Sequence, residues 1–307
     1  MQRHRLPLLG LSILAFAGSL AAQAKKVINT RELLAQPTFG AYQLSPDGRR
    51  VMFTRTDRDP KDWAATSHIW LHELDGGRTY QLTNSTRGES SPRFLPDGRV
   101  AFLSNRENRN AWWVIAPTGG EATRLVEGDS LPPNASFSHD GQRLVYTEAT
   151  ERPDKKEWDE KVKRKDDGYY AEKKLTYTHV WVYDMATRTK KQITKGEFDH
   201  NGPAFSPDGK WVVYTSNRSN LTVRDANWSN NSDLYLVSAD GGEPRQLTTN
   251  LGPDNAARFS PDGQWIAYSS SDRRNSSADQ SDVKVISVQG GEPRNLTADL
   301  DYSVGDI

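Results

Sequence analysis

Two histidines four residues apart, an Asp-Gly pair recurring five times in one turn motif, and two glutamates three residues apart are the features of this chain that could carry chemistry. On a helix, His68 and His72 would share one face and could ligate a metal. They flank the alternating stretch Ile69-Trp70-Leu71, which reads as a strand, and four strand residues span about 13 Å. Packing or solvent-facing histidines are the better reading, and no metal is expected. Asp47, Asp97, Asp140, Asp208 and Asp262 each stand directly before a glycine. Asp there can bond its own backbone while Gly takes the left-handed position, so these aspartates read as turn formers. Glu157 and Glu160 lie with Trp158, Tyr169 and Tyr170 in Glu151–Lys174, which holds nine basic and eight acidic residues. That stretch is either a solvated excursion or short helix, or a lip that meets a substrate or partner, with the two glutamates anchoring a cationic group. Trp228, within Asp225–Asn231, marks a smaller loop of the same kind.

Glycine spacing excludes several chemistries. No two glycines are four apart, two apart or five apart. A Gly-x-Ser-x-Gly nucleophile elbow, a dinucleotide-binding Gly-x-Gly-x-x-Gly and a phosphate-binding P-loop are thereby all absent. The chain has no cysteine, hence no disulfide framework and no thiolate ligand. Its 40 basic and 40 acidic side chains balance, which argues against a nucleic-acid partner. No catalytic residue and no cofactor is assigned.

The elements that would position these residues come from a repeat. Ser45-Pro46-Asp47-Gly48 returns as Leu95-Pro96-Asp97-Gly98, Ser138-His139-Asp140-Gly141, Ser206-Pro207-Asp208-Gly209 and Ser260-Pro261-Asp262-Gly263. An alternating strand follows each turn, as in Trp211-Val212-Val213-Tyr214. A third strand comes next, and in four units a Gly-Gly turn leads to a short strand ending in Gln-Leu-Thr or a variant. The third residue of that ending lies twelve residues before the next turn motif in all four intervals, 83→95, 126→138, 194→206 and 248→260. Unit three has Thr187-Arg188 where the others have Gly-Gly, so its outer turn must be built differently. Four strands per unit of 43 to 68 residues predict an all-β fold, a β-propeller of four-stranded WD40-like blades.

The two ends of the chain carry their own expectations. Arg3 and Arg5, the apolar run Leu6–Leu20 and the small residues Ala22-Gln23-Ala24 have the order of a secretory signal peptide. The expected division is a signal peptide over 1–24 and a propeller over 25–307, exported to a periplasm or secreted, with no membrane contact after cleavage. One more twelve-residue interval after Thr297 reaches position 309. The five blades present are thus expected to be part of a larger propeller, although a closed five-bladed ring is the alternative.

Phe-Ser-Pro-Asp-Gly turns, the strand tails Ser104-Asn105-Arg106 and Ser216-Asn217-Arg218, and the ending Gly241–Thr248 resemble two groups of proteins. One is the N-terminal propeller of the prolyl oligopeptidase family of serine peptidases, in its dipeptidyl-peptidase and acylaminoacyl-peptidase branch. The other is the TolB propeller of the bacterial Tol system. Asp167-Gly168-Tyr169 followed by His179-Val180-Trp181-Val182 is similar to the third blade of the peptidases. That resemblance implies a seven-bladed propeller capping a C-terminal α/β-hydrolase domain absent from this chain, with short peptides selected as substrate. None of the family's triad residues maps onto this sequence, and no secure match is found for the paired glutamates by which some relatives hold a substrate's amino terminus. The TolB alternative implies a protein-interaction scaffold without activity. Homo-oligomer formation is left open.

Overall fold

Each Ser-Pro-Asp-Gly turn closes because two short side chains satisfy the backbone at its corner. Ser45 Oγ donates to Asp47 Oδ1 at 2.6 Å and accepts the Arg50 N–H at 2.8 Å, while Asp47 Oδ1 accepts the Arg49 N–H at 3.0 Å. Ser138 with Asp140, Ser206 with Asp208 and Ser260 with Asp262 repeat the arrangement. The glycines that follow have φ between +68° and +81°, a conformation that a Cβ disfavours. Hydroxyl donation, then the backbone N–H, holds these four carboxyls below the usual aspartate range. The repeated aspartates are turn formers, as their spacing implied.

The computed structural model describes residues 29–108, 110–125, 135–151, 153–165, 176–218, 231–273 and 279–304. The proposed leader, residues 1–24, lies outside them. Among the described residues, after a short helix α1 (Thr30–Leu34), twenty strands form five antiparallel sheets of four, each in chain order. Blade 1 is β1 (Thr38–Leu44), β2 (Arg50–Arg58), β3 (Ala65–Glu73) and β4 (Thr79–Gln81). Blade 2 is β5 (Glu89–Phe94), β6 (Val100–Ser104), β7 (Ala111–Ile115) and β8 (Thr123–Arg124). Blade 3 holds β9 (Ser136–Phe137), β10 (Arg143–Ala149), helix α2 (Lys155–Lys163), β11 (Thr178–Asp184) and β12 (Thr189–Gln192). Blade 4 is β13 (His200–Phe205), β14 (Trp211–Ser216), β15 (Asp233–Ser238) and β16 (Arg245–Gln246). Blade 5 is β17 (Asp254–Phe259), β18 (Trp265–Ser270), β19 (Asp282–Ser287) and β20 (Arg294–Asn295).

Hydrophobic cores sit between blades rather than within them. Met52, Ile69 and Leu71 of blade 1 pack on Phe102 and Trp113 of blade 2, and Leu103 and Trp112 pack on Leu144 and Tyr146 of blade 3. Val145 and Val180 meet Tyr214 and Val237, and Leu234 and Leu236 meet Ile266 and Tyr268. Strand β6 shows why: Val100 and Phe102 face one core, Ala101 and Leu103 the next, and all five of its residues are buried. The period-two alternation of a strand here separates two apolar faces.

The Gln-Leu-Thr endings and their variants lock the third strand of four blades. Thr83 Oγ1 accepts the Ile69 N–H at 3.0 Å, Thr194 the Val180 N–H at 2.9 Å, Thr248 the Leu234 N–H at 2.9 Å and Thr297 the Val283 N–H at 3.0 Å. Gln81, Gln192 and Gln246 each donate to the carbonyl of the threonine two residues on. Blade 3 builds its different outer turn with Asp184, whose Oδ1 accepts from the N–H groups of Ala186 and Thr187, and Arg188 takes the left-handed φ of +57°.

A polar layer joins the blades beside these threonines. Thr83 donates to Glu89 Oε2 at 2.6 Å, and buried Glu89 also meets His68 Nδ1 at 3.0 Å and Arg106 Nη2 at 3.1 Å. Arg106, the end of one Ser-Asn-Arg tail, lies 4.8 Å over Trp113. In blade 4 His200 stands where Glu89 does, and Arg218 Nη2 reaches both His200 Nε2 at 3.3 Å and Tyr214 Oη at 2.9 Å. Burial foremost pushes the His200 imidazole down to about 4, so it stays neutral.

Blade 5 has fully buried Asp254 at this place, with Ser271-Asp272 after β18 instead of an arginine tail. Burial raises the Asp254 carboxyl, opposed by Thr248, Ser270 and Asn250 around it and by the field of Lys284. Neighbouring Asp233 is pushed up to about 7, by burial first and by Asp254 second.

Two outcomes are expected. Thr248→Val leaves the buried Leu234 N–H without its acceptor and should cost about 1–3 kcal/mol in urea unfolding. Because Asp233 binds its proton more tightly folded than unfolded, its contribution to stability is lost as pH rises from about 4 to about 7. Asp233→Asn should therefore melt above the parent at pH 8 and converge with it near pH 4.5 in melting curves run across pH; the reverse order would refute the assignment.

Candidate functional site

A bulge recurs in the first strand of four blades. Pairing with the second strand slips between Gly40 and Gln43, Ser90 and Arg93, Asn201 and Ala204, and Asn255 and Arg258. At each slip one residue turns left-handed: Ala41 (φ +51°), Ser91 (+50°), Gly202 (+56°) and Ala256 (+54°). A non-glycine residue in that region costs about 1–2 kcal/mol, so tertiary structure imposes it. In β5 and β17 the pattern is the same: one buried residue, two exposed, one buried, one exposed. The bulge turns Pro92 and Ala257 inward and leaves Arg93 and Arg258 outward.

Those outward positions face one shared opening at the turn end of the first strands. A cavity of about 590 Å³ is lined by Arg93, Ser136, Phe137, His139, Ala204 and Arg258, among others. A second of about 470 Å³ shares Arg93, Ser136, Phe137 and His139 and continues to Gln43, Pro46 and Phe94 of blades 1 and 2. All five first strands thus contribute to the opening. Arg258 Nη1 donates to its neighbour's carbonyl, that of Ala257, at 3.0 Å. Displacement of water by the walls, then the field of Arg258, lowers Arg93 below the ordinary arginine range although it reaches solvent. Cationic forks, hydroxyls and phenyl walls together suit the holding of a polar chain with an apolar side.

The residues singled out from the sequence sit elsewhere. Glu157 and Glu160 are exposed on α2, where Glu157 pairs with Lys161 at 3.3 Å and Glu160 with Lys163 at 2.6 Å. Such pairs support a solvated helix, and neither glutamate lines the opening. Trp158 is half-buried on the same helix. Tyr169, Tyr170 and Trp228 lie outside the described residues. His68 and His72 do not meet at a common centre: one bonds Glu89, the other Thr79 Oγ1 at 2.7 Å. Arg93 and Arg258 escaped the sequence reading because the bulge changes the phase of alternation. Their signal was the shared placing of Arg-Phe directly before the turn motif in units two and five.

Comparison with known proteins fits this architecture. The family model described as a TolB beta propeller domain matches residues 176–305. The chain is 31% identical over 230 residues to the uncharacterized peptidase YuxL of Bacillus subtilis, covering 69% of this chain and 34% of that protein. It is 28% identical over 282 residues to dipeptidyl-peptidase 5 of Porphyromonas endodontalis, covering 80% and 39%. The chain therefore spans between a third and two fifths of the length of these curated relatives. Among solved structures, Pyrococcus horikoshii acylaminoacyl peptidase superposes with a TM-score of 0.66 at 18% identity, over 90% of this chain and 42% of that one. A putative TolB from Agrobacterium tumefaciens gives 0.54 at 18% identity, over 84% and 80%. The resemblance to the propeller part of these peptidases, with TolB second, is borne out, and so is the bladed fold.

The strained bulge yields its own test. Ala256→Gly should raise unfolding free energy by about 1 kcal/mol, and Gly202→Ala, whose added Cβ meets nothing within 4 Å, should lower it by a similar amount through backbone strain alone. Denaturant titration of the two variants checks both signs.

Proposed function

We propose that this TolB-type propeller is the substrate-gating domain of an exported serine peptidase that hydrolyses short peptides of the dipeptidyl- or acylaminoacyl-peptidase kind. The observation that carries the reading is the opening shared by all five first strands, in a chain whose sequence relatives are longer peptidases. A cavity of about 590 Å³ is of the size that encloses a small ligand or a few residues of extended chain. A folded domain of a hundred residues, with a radius of gyration of about 13 Å, is excluded. Selection would then be by size and by the groups lining the opening, with bond cleavage left to a serine activated in an α/β-hydrolase domain. Helix α2, carrying Glu157, Trp158 and Glu160, stands as a rim element whose contact would be with that domain or with peptide. Tyr169, Tyr170 and Trp228 belong to the same proposed contact set.

Export rests on the leader-like order of residues 1–24. Among the described residues no helix is long and apolar enough to cross a membrane. The family match over 176–305 supports a second reading, a protein-interaction scaffold of TolB type with no activity.

The full gene product should be labelled by a fluorophosphonate probe of activated serines and should cleave short dipeptidyl or acylaminoacyl chromogenic peptides while sparing denatured casein. Absence of labelling, or cleavage of casein as fast as of the peptides, would overturn the gating function. Absence of labelling together with stable capture of an envelope protein would favour the scaffold.

A further inference from the structure

Among the described residues, several arginines near the turns and strand ends have a carboxylate. Arg50 pairs with Asp47, Arg55 with Asp57, Arg99 with Asp97, Arg106 with Glu89 and Arg124 with Glu107. Arg93 and Arg258 have no such partner among the described residues, yet they line one cavity and feel each other's charge. Among the described residues, no acidic side chain lines either part of the opening. The turn aspartates of the same two blades have their carboxyls committed, Asp97 to Arg99 and Asp262 to Ser260 and the Gln264 N–H.

The two positions are equivalent in their blades, each one residue before the phenylalanine that ends the first strand. The corresponding places in blades 1, 3 and 4 are Gln43, Ser136 and Ala204. The positive charge is therefore not a property of the repeat. It is placed at two points of an otherwise neutral ring of side chains, and the bulges fix it facing the opening.

Two unneutralised guanidiniums beside apolar phenyl walls are poorly arranged for stability and well arranged for an anion. A guanidinium's fork of N–H groups matches the two oxygens of a carboxylate. Phe137 and Phe259 flank the same cavity and suit the apolar side chain of a residue carrying that carboxylate. We propose that Arg93 and Arg258 form a carboxylate-binding site at the opening, which takes the carboxyl terminus or an acidic side chain of an incoming peptide. The site deepens the gating function and rests on it for the peptide; the carboxylate recognition itself stands on the arginines alone.

Calorimetric titration of the full gene product, treated with a fluorophosphonate so that no peptide is cleaved, tests this. The probes are Gly-Ala-Ala-Phe as free acid and as carboxamide, the amides Ala-Ala-Glu-NH2 and Ala-Ala-Gln-NH2, and succinate. The free acid is expected to bind roughly tenfold or more tighter than its amide, and Arg93→Gln with Arg258→Gln should abolish the difference. A preference confined to the free acid assigns the carboxyl terminus, and a preference for Glu over Gln assigns the side chain. The melting temperature of the double variant should equal or exceed that of the parent in anion-free buffer, since a like-charge contact is removed. Should it fail to fold, Arg93→Lys and Arg258→Lys keep the charge and are expected to lose part of the preference. Succinate binding that depends on both arginines, with no binding of any peptide, would sustain the site while overturning the gating function. Equal binding of acid and amide, a preference that survives loss of both arginines, or no binding of any probe would overturn the proposal.

Discussion

Burial of the middle strands on both faces is the constraint on which the molecule depends. Strand β6 gives Val100 and Phe102 to one neighbour and Ala101 and Leu103 to the other, with none of its residues left to solvent. A blade removed from its neighbours would expose two apolar faces on a sheet of four short strands, which has little else to hold it. Stability accordingly lives at the contacts between units, much as in other repeat architectures where each unit leans on the next. The wide gaps between second and third strands follow from the same arrangement. In blade 3 this gap holds helix α2, none of whose residues is buried.

Much of this was legible before any coordinates were considered, because the turns and strand endings are local chemistry. A serine two residues before an aspartate, with glycine next, dictates its own hydrogen bonds, and the twelve-residue interval places the following blade. The threonine of Gln-Leu-Thr was visible as a recurrence, but its role was not. Its hydroxyl serves the backbone of a strand fourteen residues earlier, Leu234 in the case of Thr248, and that pairing exists only once the sheet is built. The bulges were hidden for a related reason. Tertiary packing imposes a left-handed conformation on Ala41, Ser91 and Ala256, against their local preference, so no propensity announces it.

The candidate site was the least legible part. Aromatics and glutamates in a charged insertion drew attention to Glu157, Trp158 and Glu160, and the structure places them on a helix whose acids are answered by lysines of the same helix. Arg93 and Arg258 looked like two surface charges among forty. Their common placement came from an added residue in each strand, which no reading of simple alternation could count. The polar layer between blades shows a comparable divergence within sameness. Glu89, His200 and Asp254 hold one structural position in three different ways: Glu89 meets an arginine, burial pushes the His200 imidazole down to about 4, and burial raises the Asp254 carboxyl.

The bulged first strands also bear on how a chain entering the opening, on the proposed function, would be read. A straight edge strand presents a regular row of N–H and C=O groups and invites an extended peptide to join as one more strand. Here the row is broken in four blades, and Pro92 and Pro203 remove a donor from two of them. Backbone pairing, the most sequence-blind form of peptide capture, finds no continuous template along these edges. On that proposal a visitor would instead be met by side chains, at discrete points, and could let go of one before it reached the next.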